Sequence, residues 1–74
     1  MSIARITEIS ATSTKGFEDA IRQGVSRASA TLRNVRSAWV KEQQVRVENG
    51  NITEFQVNLM VTFVLDDDQA DKMA

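Results

Sequence analysis

An Asn-Gly pair at positions 49 and 50 separates two long segments in which apolar and polar side chains alternate. Asn-Gly best accepts the positive φ angles of a tight type I′ turn, so the pattern predicts a β-hairpin. We expect the hairpin to span 37–65, with Glu48 paired to Asn51 and strict alternation outward from the turn. This register predicts the pairs Trp39–Met60, Ser37–Thr62, Lys41–Asn58, Gln43–Gln56 and Val45–Glu54.

The predicted register gives the hairpin two unlike faces. One face carries an unbroken apolar series from the second strand, which predicts that it packs in the core: Phe55, Val57, Leu59, Val61, Phe63 and Leu65. The first strand adds Ala38, Val40, Glu42 and Gln44 to that side. The opposite face is mixed, with the single tryptophan, Trp39, and other apolar residues beside small or polar ones: Ser37, Lys41, Gln43, Gln56, Asn58 and Thr62.

The segment before the hairpin predicts one strand and one helix. Residues 2–11 alternate as in a short strand, although either of its sides fits the core. Thr12, Ser13 and Thr14 then predict a helix cap, and apolar spacing predicts an amphipathic helix over 14–32, with Asn34 as its stop. The order β-α-β-β predicts an α+β fold, in which a three-stranded antiparallel sheet with the third strand in the middle wraps on one helix.

Composition narrows the class of protein. The 74 residues suffice for one small domain, which we place at 1–65, followed by an acidic tail at 66–74. The chain has no cysteine or histidine, and no spacing of its serines, lysines or carboxylates marks a catalytic site, so we expect no enzyme. Basic residues are scattered among acidic ones, which disfavours nucleic acid as a partner. No apolar run reaches membrane-spanning length, and a cytoplasmic protein is expected.

The mixed face of the sheet has nothing left in the predicted domain to cover it. A tryptophan side chain there presents about 150–250 Å² of surface. Together with Met60 and the other apolar residues of this face, Trp39 forms a patch larger than a soluble monomer usually exposes. The sequence therefore predicts an oligomer that uses this face.

Four motifs follow one another along the chain: T-S-x-x-G-F-x-x-A-I from Thr12, T-L-R-N-V from Thr31, V-x-E-Q from Val40 and E-F-Q-V-x-L-x-V-x-F-x-L from Glu54. Together they resemble the motifs of the dodecins. The resemblance implies a hollow homododecamer of β-α-β-β subunits. It further implies non-catalytic storage or sequestration of a flavin (riboflavin, FMN or FAD), bound in stacked pairs on a tryptophan of the second strand and hydrogen-bonded by a glutamine of the third.

The resemblance carries over unevenly to single residues. Gln56 matches the family glutamine, but the family tryptophan position falls on Ser37, and Trp39 stands two residues later. That shift keeps the same sheet face but moves the ring by about 6–7 Å along the strand. The resemblance and the shared face together predict cofactor-binding residues Trp39, Gln56, Ser37, Lys41, Gln43 and Asn58.

Two alternatives stay open at the level of sequence. Trp39 suits a purely structural anchor between subunits as well as a flavin platform. The whole particle could also lack flavin and instead bind calcium or another small molecule, or serve only as a shell. The aspartates at 66–68 lack the loop pattern of an EF-hand, and a solvated tail is the simpler interpretation of that segment.

Overall fold

A computed structural model describes residues 3–65 of the chain. Its elements, in chain order, are β1 (Ala4–Ser13), α1 (Phe17–Thr31), β2 (Val35–Glu48) and β3 (Asn51–Val64). β3 lies between β1 and β2 and runs antiparallel to both. The predicted β-α-β-β fold is therefore confirmed, with one three-stranded antiparallel sheet and one helix. The predicted tail, 66–74, lies outside the described residues.

The turn between β2 and β3 has the predicted geometry. Asn49 and Gly50 have φ angles of 52° and 78°, both in the left-handed region that a type I′ turn requires. Glu48 pairs with Asn51, as predicted. The pairing next to the turn is therefore the one that the Asn-Gly signal indicates.

The helix begins later than predicted, at Phe17, and without a side-chain cap. Ser13 is instead the last residue of β1, where its Oγ accepts a hydrogen bond from the Lys15 backbone N–H (2.9 Å) and donates one to Asp19 (2.6 Å). The predicted Thr12–Thr14 cap was therefore wrong, because this serine closes the corner between β1 and α1. After the helix, Asn34 adopts a φ of 62° and hydrogen-bonds the backbone of Val64.

The core lies between α1 and one face of the sheet. Its fully buried members are small on the helix and branched on β3: Ala20, Ala28, Val57, Leu59 and Val61. Phe17 packs edge-on against Phe55, with ring centroids 5.2 Å apart. Gly24 lets the helix approach closely, since a Cβ at this position would lie 2.9 Å from Leu59 Cδ1 and 3.2 Å from Ala11 Cβ. The predicted apolar stripe of the helix and the predicted inner face of β3 are confirmed.

Irregularities in the hairpin change the predicted register over part of β2. Thr53 is an extra residue in β3, and Lys41 is an extra residue in β2; a third shift occurs at Arg36. Each extra residue in one strand reverses which way the following side chains face. The predicted pairs Trp39–Met60 and Ser37–Thr62 are confirmed, whereas Val45–Glu54, Gln43–Gln56 and Lys41–Asn58 were wrong.

Candidate functional site

The side of the sheet that faces away from α1 is the candidate site, and we call it the open face. Its members follow from the pairing of the three strands and form rows across the sheet. The rows, in the order β1, β3, β2, are Ile6–Thr62–Ser37, Glu8–Met60–Trp39, Ser10–Asn58–Glu42 and Thr12–Gln56–Gln44.

One half of the open face carries its large apolar side chains, Ile6, Met60 and Trp39, and we call it the apolar half. Trp39 in β2 is 48% exposed, and Ile6 in β1 is 52% exposed. Lys41, the extra residue of β2, places its Nζ 3.3 Å from Glu8 Oε1 and so reaches across the row that contains Trp39. The indole is thus accessible. Lys41 and Glu8 flank it, and each of these two side chains is about half exposed.

The other half of the open face is polar. Its hydrogen-bonded side chains come from the two remaining rows, and we call this set the polar row. Gln56 Nε2 donates to Ser10 Oγ (3.0 Å) and to Asn58 Oδ1 (3.4 Å). Asn58 Nδ2 in turn donates to Glu42 Oε1 at 3.0 Å. Beyond Gln56, Arg46 Nε lies 3.3 Å from Glu54 Oε1. The structure therefore links side chains of all three strands by directed hydrogen bonds.

The structure places the predicted site residues at different points along this face. Ser37 and Trp39 both lie on it, two residues apart in β2, as predicted. Met60, which pairs with Trp39, stands four residues from Gln56 in β3, which corresponds to about 13 Å at the usual strand rise. Within one chain, Trp39 and Gln56 therefore do not meet around the same end of a ligand ring.

The structure corrects the placement of Gln43. This residue pairs with Val57, which is buried, and so it lies on the helix side of the sheet and not beside Gln56. Glu42, which the strict alternation placed on the helix side, lies on the open face and contacts Asn58. The physical reason is the extra residue Lys41, after which the facing of β2 is reversed.

Sequence reasoning missed Glu42 and Ser10 as members of the hydrogen-bonded polar row, and it placed Gln44, which pairs with Gln56 on the open face, on the helix side. A signal for Glu42 was present in the pattern of β2. Its inward apolar residues near Trp39 occupy even positions, Ala38 and Val40, whereas the next apolar residue toward the turn is Val45. A change of parity between apolar residues that share a core face requires an irregularity between them.

On the helix, away from the open face, two acidic residues, Glu18 and Asp19, make polar contacts. Glu18 and Arg22, one helical turn apart, form an ion pair at 2.8 Å. Hydrogen bonds from Ser13 and then Gln23, with help from nearby positive charges and against some desolvation, hold the pKa of Asp19 below its ordinary value. Within 3–65, no group of three or more acidic side chains is arranged to hold a metal ion.

No helix in 3–65 has the length and apolar character needed to span a bilayer.

Comparisons with known proteins agree with this geometry. The dodecin of Streptomyces davaonensis is 40% identical, covers 88% of this chain and 96% of its own, and superposes with a TM-score of 0.83. The dodecin of Streptomyces coelicolor is 36% identical over 86% of this chain and 91% of its own (TM-score 0.82). A mutant T. thermophilus dodecin is 34% identical over 88% and 97% (TM-score 0.82).

A search of curated protein sequences gave no match. The dodecin family model, however, matches residues 3–66, nearly the whole chain. The match includes β1, α1 and both strands of the hairpin, and therefore every row of the open face. The chain belongs to the dodecin family.

Proposed function

We propose that this chain binds a flavin without turning it over, and stores or sequesters it on the open face at contacts between copies of a homododecamer. The observation that carries the proposal is the exposed indole of Trp39 on the same face as a polar row with an unused acceptor at Gln56. The proposed ligand-contacting residues are Trp39, Gln56, Ser37, Lys41 and Asn58. Gln43, which lies on the other side of the sheet, is not among them.

The apolar half of the open face suits a flat ring system. An accessible indole offers a planar surface on which an isoalloxazine can stack, and aromatic stacking adds about 0.5–1.5 kcal/mol beyond burial of area. Ser37, one row away, has a small side chain that leaves room beside the indole. Ile6, exposed on the same face, lies on β1 and is separated from the strand of Trp39 by β3.

The polar half suits the pyrimidine edge of a flavin, which presents an imide N–H between two carbonyl groups. Gln56 uses its amide nitrogen for Ser10 and Asn58, and no hydrogen bond within 3–65 reaches its Oε1. A buried amide oxygen without a donor costs free energy, so a ligand that covers this row must supply one. The imide N–H of a flavin does so.

Assembly would bring the two halves together. Trp39 and Gln56 lie about 13 Å apart along the sheet of one chain. A two-fold axis that lies in the interface and perpendicular to the strands, however, would set the apolar half of one copy opposite the polar half of another, and each such contact would occur twice. A ring that stacks on Trp39 can then meet Gln56 of a second copy. Membership in the dodecin family supports the dodecamer as the form of this assembly.

Titration of riboflavin with the purified protein tests the proposal. We expect strong quenching of flavin fluorescence at micromolar protein, together with a particle far larger than the 8.2 kDa chain by light scattering. Absence of quenching would contradict flavin binding, and a particle of the mass of one chain would contradict the assembly.

Replacement of the indole tests the role of the site itself. Trp39→Ala should abolish or greatly weaken quenching, whereas Ile6→Ala, which trims an equally exposed residue of the same face, should reduce it far less. A wild-type particle that never binds flavin, but dissociates when Trp39 is replaced, would show that Trp39 is only an anchor between subunits.

A further inference from the structure

In the polar row of the open face, every hydrogen bond is donated in the direction away from Gln56. On β3, Gln56 donates to Ser10 on β1 (3.0 Å) and to Asn58 (3.4 Å), and Asn58 donates to Glu42 on β2 (3.0 Å). Glu42 stands directly opposite Asn58 in the register, so this last contact is between cross-strand neighbours. Gln56 and Asn58 are two residues apart in one strand and share a face.

The carboxylate of Glu42 determines that direction. An ionised carboxylate only accepts hydrogen bonds, whereas a carboxamide has one accepting and one donating end. Asn58 must therefore turn Nδ2 toward Glu42, which leaves Oδ1 pointing toward Gln56. Gln56 must therefore turn its donor Nε2 toward Asn58 Oδ1. Ser10 imposes no direction of its own, because a hydroxyl can accept or donate.

Both hydrogens of the Gln56 amide are consequently in use, one toward Asn58 and one toward Ser10. We propose that Glu42 and Asn58 are positioning residues that orient Gln56, so that it offers a ligand only its oxygen. The face is then selective for ligands whose edge presents an N–H donor, and it rejects those with only acceptors there. This inference rests on the proposed flavin function, since it names the flavin group that Gln56 recognises: the imide N–H.

The hydrogen bonds by which Glu42 and Asn58 orient Gln56 are called the relay below. Two ligands and a set of variants test it. Riboflavin carries the imide N–H, and riboflavin methylated at that nitrogen does not. In the wild type we expect riboflavin to bind about tenfold more tightly than the methylated compound, the usual effect of one hydrogen bond whose partner is left unsatisfied. Dissociation constants from fluorescence quenching give the ratio.

The methyl group also adds bulk, so the variants must separate bulk from hydrogen bonding. Glu42→Gln removes the direction, and Glu42→Lys reverses it, because a lysine only donates. We expect the riboflavin preference to fall in the first variant and fall further in the second. Glu54→Gln is the matched control, because it removes one carboxylate from the same sheet outside the relay and should leave the ratio unchanged. An unchanged ratio in both Glu42 variants would overturn the proposal and leave bulk as the explanation.

A measurement without ligand keeps the relay testable if riboflavin fails to bind, which would contradict only the proposed function. In nuclear magnetic resonance spectra, the side-chain amide hydrogens of Gln56 should exchange with water more slowly in the wild type than in Glu42→Gln. Glu54→Gln should behave as the wild type. Equal exchange in the wild type and Glu42→Gln would show that Glu42 does not orient Gln56.

Discussion

The two faces of the sheet differ although they share the same strands. In β3, Val57, Leu59 and Val61 are at most 1% exposed, while the alternating residues Gln56, Asn58 and Met60 are only half-buried. The first set is covered by α1 of the same chain, and the second set faces away from it. The comparison shows that one face is covered by the helix of the same chain, whereas the other face exposes an indole and a hydrogen-bonded polar row.

The largest change in the free energy of unfolding is expected when a side chain of the covered face is truncated. Leu59→Ala removes a fully buried side chain beneath the helix, and its free energy of unfolding should fall by about 2–5 kcal/mol because a cavity replaces the lost contacts. Denaturant unfolding at one fixed protein concentration measures this loss, since assembly of copies, if it occurs, would make apparent stability depend on concentration.

Ile6→Ala is the corresponding truncation of an apolar side chain on the open face. In dissociated protein it should change the free energy of unfolding by no more than about 0.5 kcal/mol, as for other exposed positions. If copies cover the open face, its cost should grow as the protein concentration rises into the assembled range. Equal losses for Leu59→Ala and Ile6→Ala in dissociated protein would remove the contrast between the faces.

A smaller effect is expected from Gly24→Ala, which tests how tightly the helix covers its face. The added Cβ would meet Leu59 and Ala11 at distances below ordinary van der Waals contact. Alanine favours a helix over glycine by up to about 1 kcal/mol. Overpacking costs about 1–3 kcal/mol, and we expect a net loss of about 1 kcal/mol in thermal or denaturant unfolding.

Ser26→Ala provides the control on the exposed side of the same helix. It gains helix propensity without meeting the sheet and should be neutral or slightly stabilising. A stabilising Gly24→Ala would mean that the helix has room to move away from β3, contrary to the close packing described above.

The smallest effect concerns a polar contact at the edge of the covered face. The Ser13 hydroxyl is the main cause of the lowered pKa of Asp19. A carboxyl group whose pKa is lower when folded contributes stability above its ordinary titration range, and this contribution disappears as the pH falls through the folded pKa. Ser13→Ala should move the pKa of Asp19 back toward its ordinary value, measured by nuclear magnetic resonance titration of the carboxyl group.

Gln23→Ala removes the hydrogen bond that lowers the pKa of Asp19 less than the Ser13 hydroxyl does, and it should produce a smaller rise of the pKa. If Ser13→Ala left the titration of Asp19 unchanged, the corner between β1 and α1 would not be held by the hydroxyl contact.

Sequence reasoning predicted the fold well because its signals are local. The Asn-Gly turn needs only two residues, and the helix stripe repeats within a few turns. The same reasoning failed at Glu42 and Gln43, where it assumed that alternation continues unbroken from the turn. In the structure Lys41 pairs with Glu8, and Glu54 pairs with Arg46.

By itself, the sequence determined the order of elements, the turn, the covered side of β3 and the placement of Trp39, Ser37 and Gln56 on one face. Those features depend on side-chain periodicity and on a backbone conformation that few residue pairs accept. Only the tertiary structure decided that Glu42 joins Asn58 and Gln56. An extra residue in a strand is defined by what lies opposite it, and that partner belongs to another part of the chain.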